Sequence, residues 1–181
     1  GAQALVVEDG GTTRWVTLPV DESSVNLMER EMTVDLTSGE PVTTLKITAR
    51  GANAVYYRST LEDPERRDEV LEKQLASDFP GAKLVKATYS DMTKLERPVE
   101  ITVTFKGGRL LRESDKRRYL YPLGERKDLL GAYADQAKRN QDLSIRVPFT
   151  SKTTMRYRLP VDSKAGKLPA AKNLKSKFGS L

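Results

Sequence analysis

The residue types available for chemistry in this chain are few. Among its 181 residues there is no cysteine and no histidine. That excludes thiol nucleophiles, disulfides, imidazole bases, Ser-His-Asp triads and the usual zinc sites. Carboxylate, lysine, tyrosine and arginine chemistry remains. Carboxylates stand side by side at Glu8-Asp9, Asp21-Glu22 and Glu62-Asp63. Neighbouring side chains point apart in regular structure, so these pairs read as turn and cap residues, not as the two acids of a glycosidase. Asp9, Gly10 and Thr12 carry oxygens suited to calcium, but without the spacing of a calcium loop. Gly166-Lys167 lacks the upstream glycine of a phosphate loop, and no Ser-x-x-Lys pair occurs. The sequence therefore assigns no catalytic residue, no metal ligand and no cofactor.

Binding is the better prospect. Tyr57, Arg58, Arg66, Lys73, Arg156 and Arg158 are the candidates for a partner surface. Tyr56 and Tyr57 would face opposite ways in a strand, leaving one exposed beside Arg58. Arg66 and Lys73 fall on the polar side of an amphipathic helix. Arg156 and Arg158 alternate as on the wet face of a strand. Charge is unevenly spread. Residues 1–100 hold 12 basic and 18 acidic residues, whereas residues 101–181 hold 19 basic and 7 acidic. From Ser163 onward there are five lysines and no acid. The bland reading is a solvated basic tail. The sharper one is a surface for an anionic polymer, nucleic acid or polysaccharide. The basic half carries no nucleic-acid motif, so nucleic acid is the less expected partner.

The elements that must carry these side chains are legible from periodicity. Gly51 to Tyr89 reads as a strand end, a helix and a new strand. Asp63 is placed as N-cap and Pro64 as first helical residue, and Pro80-Gly81 ends the helix. Val70, Leu71, Leu75 and Phe79 form its apolar stripe. The stretch from Leu27 to Thr37 alternates, with Met28, Met32, Val34 and Leu36 on one face. Val42 to Arg50 returns as the second arm of a hairpin. Ala82 to Tyr89 and Val99 to Phe105 are further strands. A short helix is expected near 126–139. A last hairpin is expected from Leu143–Phe149 and Thr153–Leu159. The fold class is α+β, mainly β: an antiparallel sheet or sandwich with one or two packed surface helices. Residues 1–24 form a linking segment with a short hairpin, 25–160 a β-rich domain, and 161–181 a basic tail. No apolar run is long enough to span a bilayer, and no secretory leader is legible. Without an initiator methionine, the chain reads as a segment of a longer protein.

Gly51-Ala-Asn-Ala54, Arg58, Leu61, Leu71, Leu75 and Phe79-Pro80-Gly81-Ala82 together resemble a domain of unknown function. That domain lies C-terminal to the transglutaminase-like core in large bacterial exported proteins. Ala4–Val7 with Trp15–Pro19 looks like the segment leaving that core. Pro160 and Lys177-Phe178-Gly179 look like the point where the family's chain runs on into another strand. The resemblance covers most of the chain through soft motifs. It implies a non-catalytic accessory or interaction domain at the periplasm or cell envelope. Its partners would be other domains of the parent chain or an envelope protein. The core's Cys, His and Asp would lie upstream, so no site residue carries over.

Overall fold

The computed structural model describes residues 2–114, 117–120, 140, 147–164, 166, 168, 170–176 and 179–180. The expected helix near 126–139 and most of the expected strand Leu143–Phe149 lie outside them.

The core is a five-stranded sheet. In chain order its strands are β3 (Leu27–Asp35), β4 (Val42–Ala49), β5 (Ala82–Tyr89), β6 (Val99–Gly107) and β9 (Thr150–Arg158), arranged β5-β6-β4-β3-β9. Two helices, α1 (Ala52–Thr60) and α2 (Arg67–Asp78), lie between β4 and β5. Strand β6 then inserts between those two strands. Three short hairpins stand apart in pairing: β1 (Gln3–Val7) with β2 (Thr13–Thr17), β7 (Leu111–Ser114) with β8 (Arg117–Leu120), and β10 (Lys175–Ser176) with β11 (Gly179–Ser180). The class is α+β and mainly β, as the alternating strands and amphipathic helix require. Among the described residues the five-stranded sheet is faced by the two helices, and Leu111 and Leu120 of the β7–β8 hairpin pack against the same core cluster.

Period-two patterning decides which face is dry. Val34, Ala49, Val99, Ile101, Val103 and Phe105 are fully buried, and Leu71, Leu75 and Phe79 of the α2 stripe join them in one cluster. Phe79 stacks on Phe105 with ring centroids 5.0 Å apart. The other face is wet and charged. Lys152 Nζ donates to Glu29 Oε1 at 2.7 Å, while Arg156 meets Glu31 at 3.4 Å and Arg158 meets Asp35 at 3.8 Å. Exposed pairs of this kind add little stability, but they favour one register of β9 on β3.

Four expectations are corrected. Strand β9 runs parallel to β3, pairing Met32 with Met155 and Val34 with Tyr157. Alternation reveals a strand's faces and not its direction, and Val147–Phe149 is not a strand. Tyr56 and Tyr57 sit in a helix, not a strand end. Helix α2 begins at Arg67, not Pro64; residues 64–66 form a turn, and Asp63 Oδ1 accepts from the Glu65 amide at 3.0 Å without capping a helix. The sheet is mixed, not purely antiparallel.

No described helix is long and apolar enough to cross a membrane.

Candidate functional site

One end of the helix-covered face opens into a groove of about 1060 Å³. Four separate stretches build it. The end of β4 supplies Arg50 and Gly51. Helix α1 supplies Ala54, Val55 and Arg58. The α1–α2 connection and the start of α2 supply Glu62, Pro64 and Arg67. The β5–β6 loop supplies Met92, Leu95, Glu96 and Arg97.

The corner from which α1 departs is fixed by a residue far away in sequence. Asn26 is 4% exposed. Its Oδ1 accepts from the Ala52 amide at 2.9 Å, which caps α1, and its Nδ2 donates to the Pro148 carbonyl at 3.0 Å. Its own carbonyl receives Asn53 Nδ2 at 3.0 Å and the Thr150 amide at 3.1 Å. One side chain thus joins α1 to the approach of β9. Gly51 turns the chain there with φ of +56°, and a Cβ would press into Asn26 Oδ1 and stand 2.7 Å from the Val25 carbonyl oxygen. Glycine is required on both counts.

The opposite wall is the loop from Ser90 to Pro98, which is held at several points. Met92 is buried in the core cluster. Thr93 donates through its amide and its hydroxyl to Asp91 Oδ1, and these two bonds hold the Asp91 carboxyl below its ordinary value of 3.8. Arg58 Nε donates to the Met92 carbonyl at 3.2 Å, and its Nη2 donates to the carbonyls of Lys94 at 2.9 Å and Arg97 at 2.6 Å. One guanidinium therefore gathers three loop carbonyls through two nitrogens of its rigid planar fork. Arg67 Nε donates to the Leu61 carbonyl at 2.7 Å, and its guanidinium lies 5.6 Å from the Tyr89 ring centre. Tyr89 in turn donates to Asp68 at 2.7 Å. Burial first, and then this bond, push the Tyr89 hydroxyl well above its ordinary value.

Four arginines and two glutamates, Glu62 and Glu96, thus line one groove. Among the described residues, no direct hydrogen bond or ion pair engages the side chains of Arg50 or Arg97, both exposed, although the Arg50 charge reaches Glu29 and the Arg97 charge reaches Asp91, lowering both carboxyls. Val55, 63% exposed, and Leu95, 75% exposed, add unpartnered aliphatic surface. No group of three or more metal-ligating side chains occurs among the described residues.

The six residues singled out from sequence are not brought together. Tyr57 is 2% exposed and belongs to the core, so it offers no surface; its neighbour Tyr56 is the exposed one, packed edge-on against it. Arg58 lines the groove as the clamp just described. Arg66 and Lys73 flank Glu69 on the outer side of α2 at 3.8 and 2.6 Å. Arg156 and Arg158 lie on the wet face of the sheet with their carboxylate partners. Arg50 and Arg97 escaped sequence reasoning. They are isolated in the chain, and only the fold sets them at one opening.

Compared with known proteins, the chain gives no significant match to a family model, a curated protein or a solved structure.

Proposed function

We propose that this chain is a non-catalytic interaction domain whose working surface is the arginine-lined groove. The observation that carries the reading is the meeting of Arg50, Arg58, Arg67 and Arg97 at one opening on a preset framework. A loop already held by Met92 and Arg58 loses little entropy when a partner arrives. Guanidiniums offer planar forks to carboxylate or phosphate, so an anionic partner fits best. The lack of histidine and cysteine in the sequence supports a binding role over a hydrolytic one.

We further propose that the domain is an accessory part of a larger transglutaminase-like exported protein, at the periplasm or cell envelope. The motif resemblance supports this. Several of its residues, Gly51, Ala54 and Arg58, line the groove, while Leu61, Leu71, Leu75 and Phe79 are buried beneath the helices. A parent reading frame without an upstream Cys, His and Asp core would refute that assignment and leave the groove's role untouched.

The rival surface is the basic C-terminal half, favoured by its charge excess alone. Isotope-labelled protein titrated with octaglutamate amide separates the two by the amides that respond. The groove reading expects shifts at 50–58 and 92–97. Shifts confined to 163–180 would overturn it in favour of the tail.

A further inference from the structure

We infer that the groove takes an extended polypeptide segment in which acidic and aliphatic residues alternate, and not a uniform polyanion. The inference rests on the reading of the groove as the working surface and names the chemistry of its partner.

Three features of the lining separate these ligands. The first is its mixed charge. Glu62 and Glu96 share the wall with the four arginines. A nucleic acid or sulfated polysaccharide carries charge at every repeat and must set some of it against these carboxylates. A polypeptide can place carboxylates opposite Arg50 and Arg97 and neutral residues opposite Glu62 and Glu96. The second is that no aromatic side chain stands among the described lining residues. Bases and sugar rings are held largely by stacking on aromatic faces, and the described wall offers none. The third is the exposed aliphatic surface of Val55 and Leu95. It gains from an apolar partner side chain and nothing from a phosphate.

The guanidiniums are also divided in their roles. Arg58 uses Nε and Nη2 on loop carbonyls, and Nη1 takes part in none of those bonds. It positions the loop. Arg50 and Arg97, at the end of β4 and on that loop, act on Glu29 and Asp91 only at longer range and make no direct ion pair among the described residues, so they are the groups left to meet a partner carboxylate. The volume of about 1060 Å³ lies at the upper end of small-molecule sites, and the groove is open. An extended segment fills such a space better than a compact ligand.

The test is fluorescence anisotropy at low salt with four labelled probes: a Glu-Val repeat octapeptide amide, octaglutamate amide, a Gln-Val repeat octapeptide amide and an oligothymidylate of eight nucleotides. The expected result is that the Glu-Val peptide binds about tenfold more tightly than each of the other three. Arg50→Glu and Arg97→Glu should each weaken it about tenfold, the worth of one charge-assisted hydrogen bond. Val55→Ser and Leu95→Ser should weaken the Glu-Val peptide several-fold and leave octaglutamate unchanged. These four side chains are exposed, and thermal melts matching the parent protein establish that each variant is folded. Octaglutamate or oligothymidylate binding as tightly as the Glu-Val peptide, with sensitivity to Arg97→Glu, would overturn the inference while the groove remains an anion site. Equal binding of the uncharged Gln-Val peptide, affinities indifferent to both arginine reversals, or no binding of any probe would overturn the inference and the reading beneath it.

Discussion

Replacing Asn26 by alanine removes a side chain that ties α1 to the approach of β9, and its cost can be worked from two bonds. Oδ1 caps α1 at the Ala52 amide, 2.9 Å away. Loss of an N-cap costs about 1 kcal/mol. Nδ2 satisfies the Pro148 carbonyl at 3.0 Å. Leaving a partly buried polar group unmet costs about 1–3 kcal/mol. The backbone carbonyl of Asn26, which holds Thr150 and Asn53, is unchanged by the substitution. The sum is about 2–4 kcal/mol, a large share of the roughly 5–15 kcal/mol that stabilises a domain. In a chain of this length it lowers the melting temperature by roughly 4–16 °C. Asn26→Asp separates the two bonds. It keeps the cap acceptor and sets an oxygen against the Pro148 carbonyl. Urea unfolding followed by circular dichroism, with linear extrapolation, gives both numbers. An Asn26→Ala loss under about 0.5 kcal/mol, at unchanged m, would refute the junction as a stabilising device.

Other outcomes follow from the same packing. Leu71→Ala and Leu75→Ala should each cost about 2–5 kcal/mol in urea melts, through lost burial and a residual cavity; losses below half a unit for both would mean the stripe is not buried. Thr43 is fully buried on the core face, and among the described residues its hydroxyl has no hydrogen-bond partner. Thr43→Val should therefore be neutral or stabilising by up to about 2 kcal/mol, and a destabilisation beyond about 1 kcal/mol would reveal a hidden partner. Lys152 holds the Glu29 carboxyl below its ordinary 4.5, Thr37 holds Asp35 below 3.8, and Lys73 holds Glu69 below 4.5. A carboxyl depressed by folding stabilises above its unfolded value and loses that contribution as pH falls through its folded value. With no histidine present, melting temperature should be flat from about pH 6 to 8 and fall below about pH 4. A transition near pH 6.5 would contradict this.

What could be read from the sequence was whatever local chemistry encodes. Val99–Phe105 alternates cleanly and is a strand buried on one face. Leu71, Leu75 and Phe79 recur at helical spacing and pack on that face. Helix α1 was invisible for a physical reason. Its β-prone Val55-Tyr56-Tyr57 run argues for a strand, and its cap comes from Asn26, far back in the chain. As a strand the run allows Tyr57 to face solvent; as a helix it buries Tyr57 and exposes Tyr56. The direction of β9 was hidden because faces and charges repeat with period two whichever way a strand runs. The groove itself could not be read, since Arg50 and Arg97 are unremarkable singly. Charge bookkeeping by halves pointed to the basic C-terminal half, whereas the convergence of arginines lies in the acidic one.

The most direct test of the groove is the affinity of the Glu-Val peptide for the double variant Arg50→Glu/Arg97→Glu beside a tail variant with Lys164, Lys172 and Lys175 changed to glutamine. The groove account predicts a loss of about a hundredfold for the first, two charge-assisted contacts together, and a change within about twofold for the second. Unchanged affinity in the groove variant, with the loss moved to the tail variant, would contradict it.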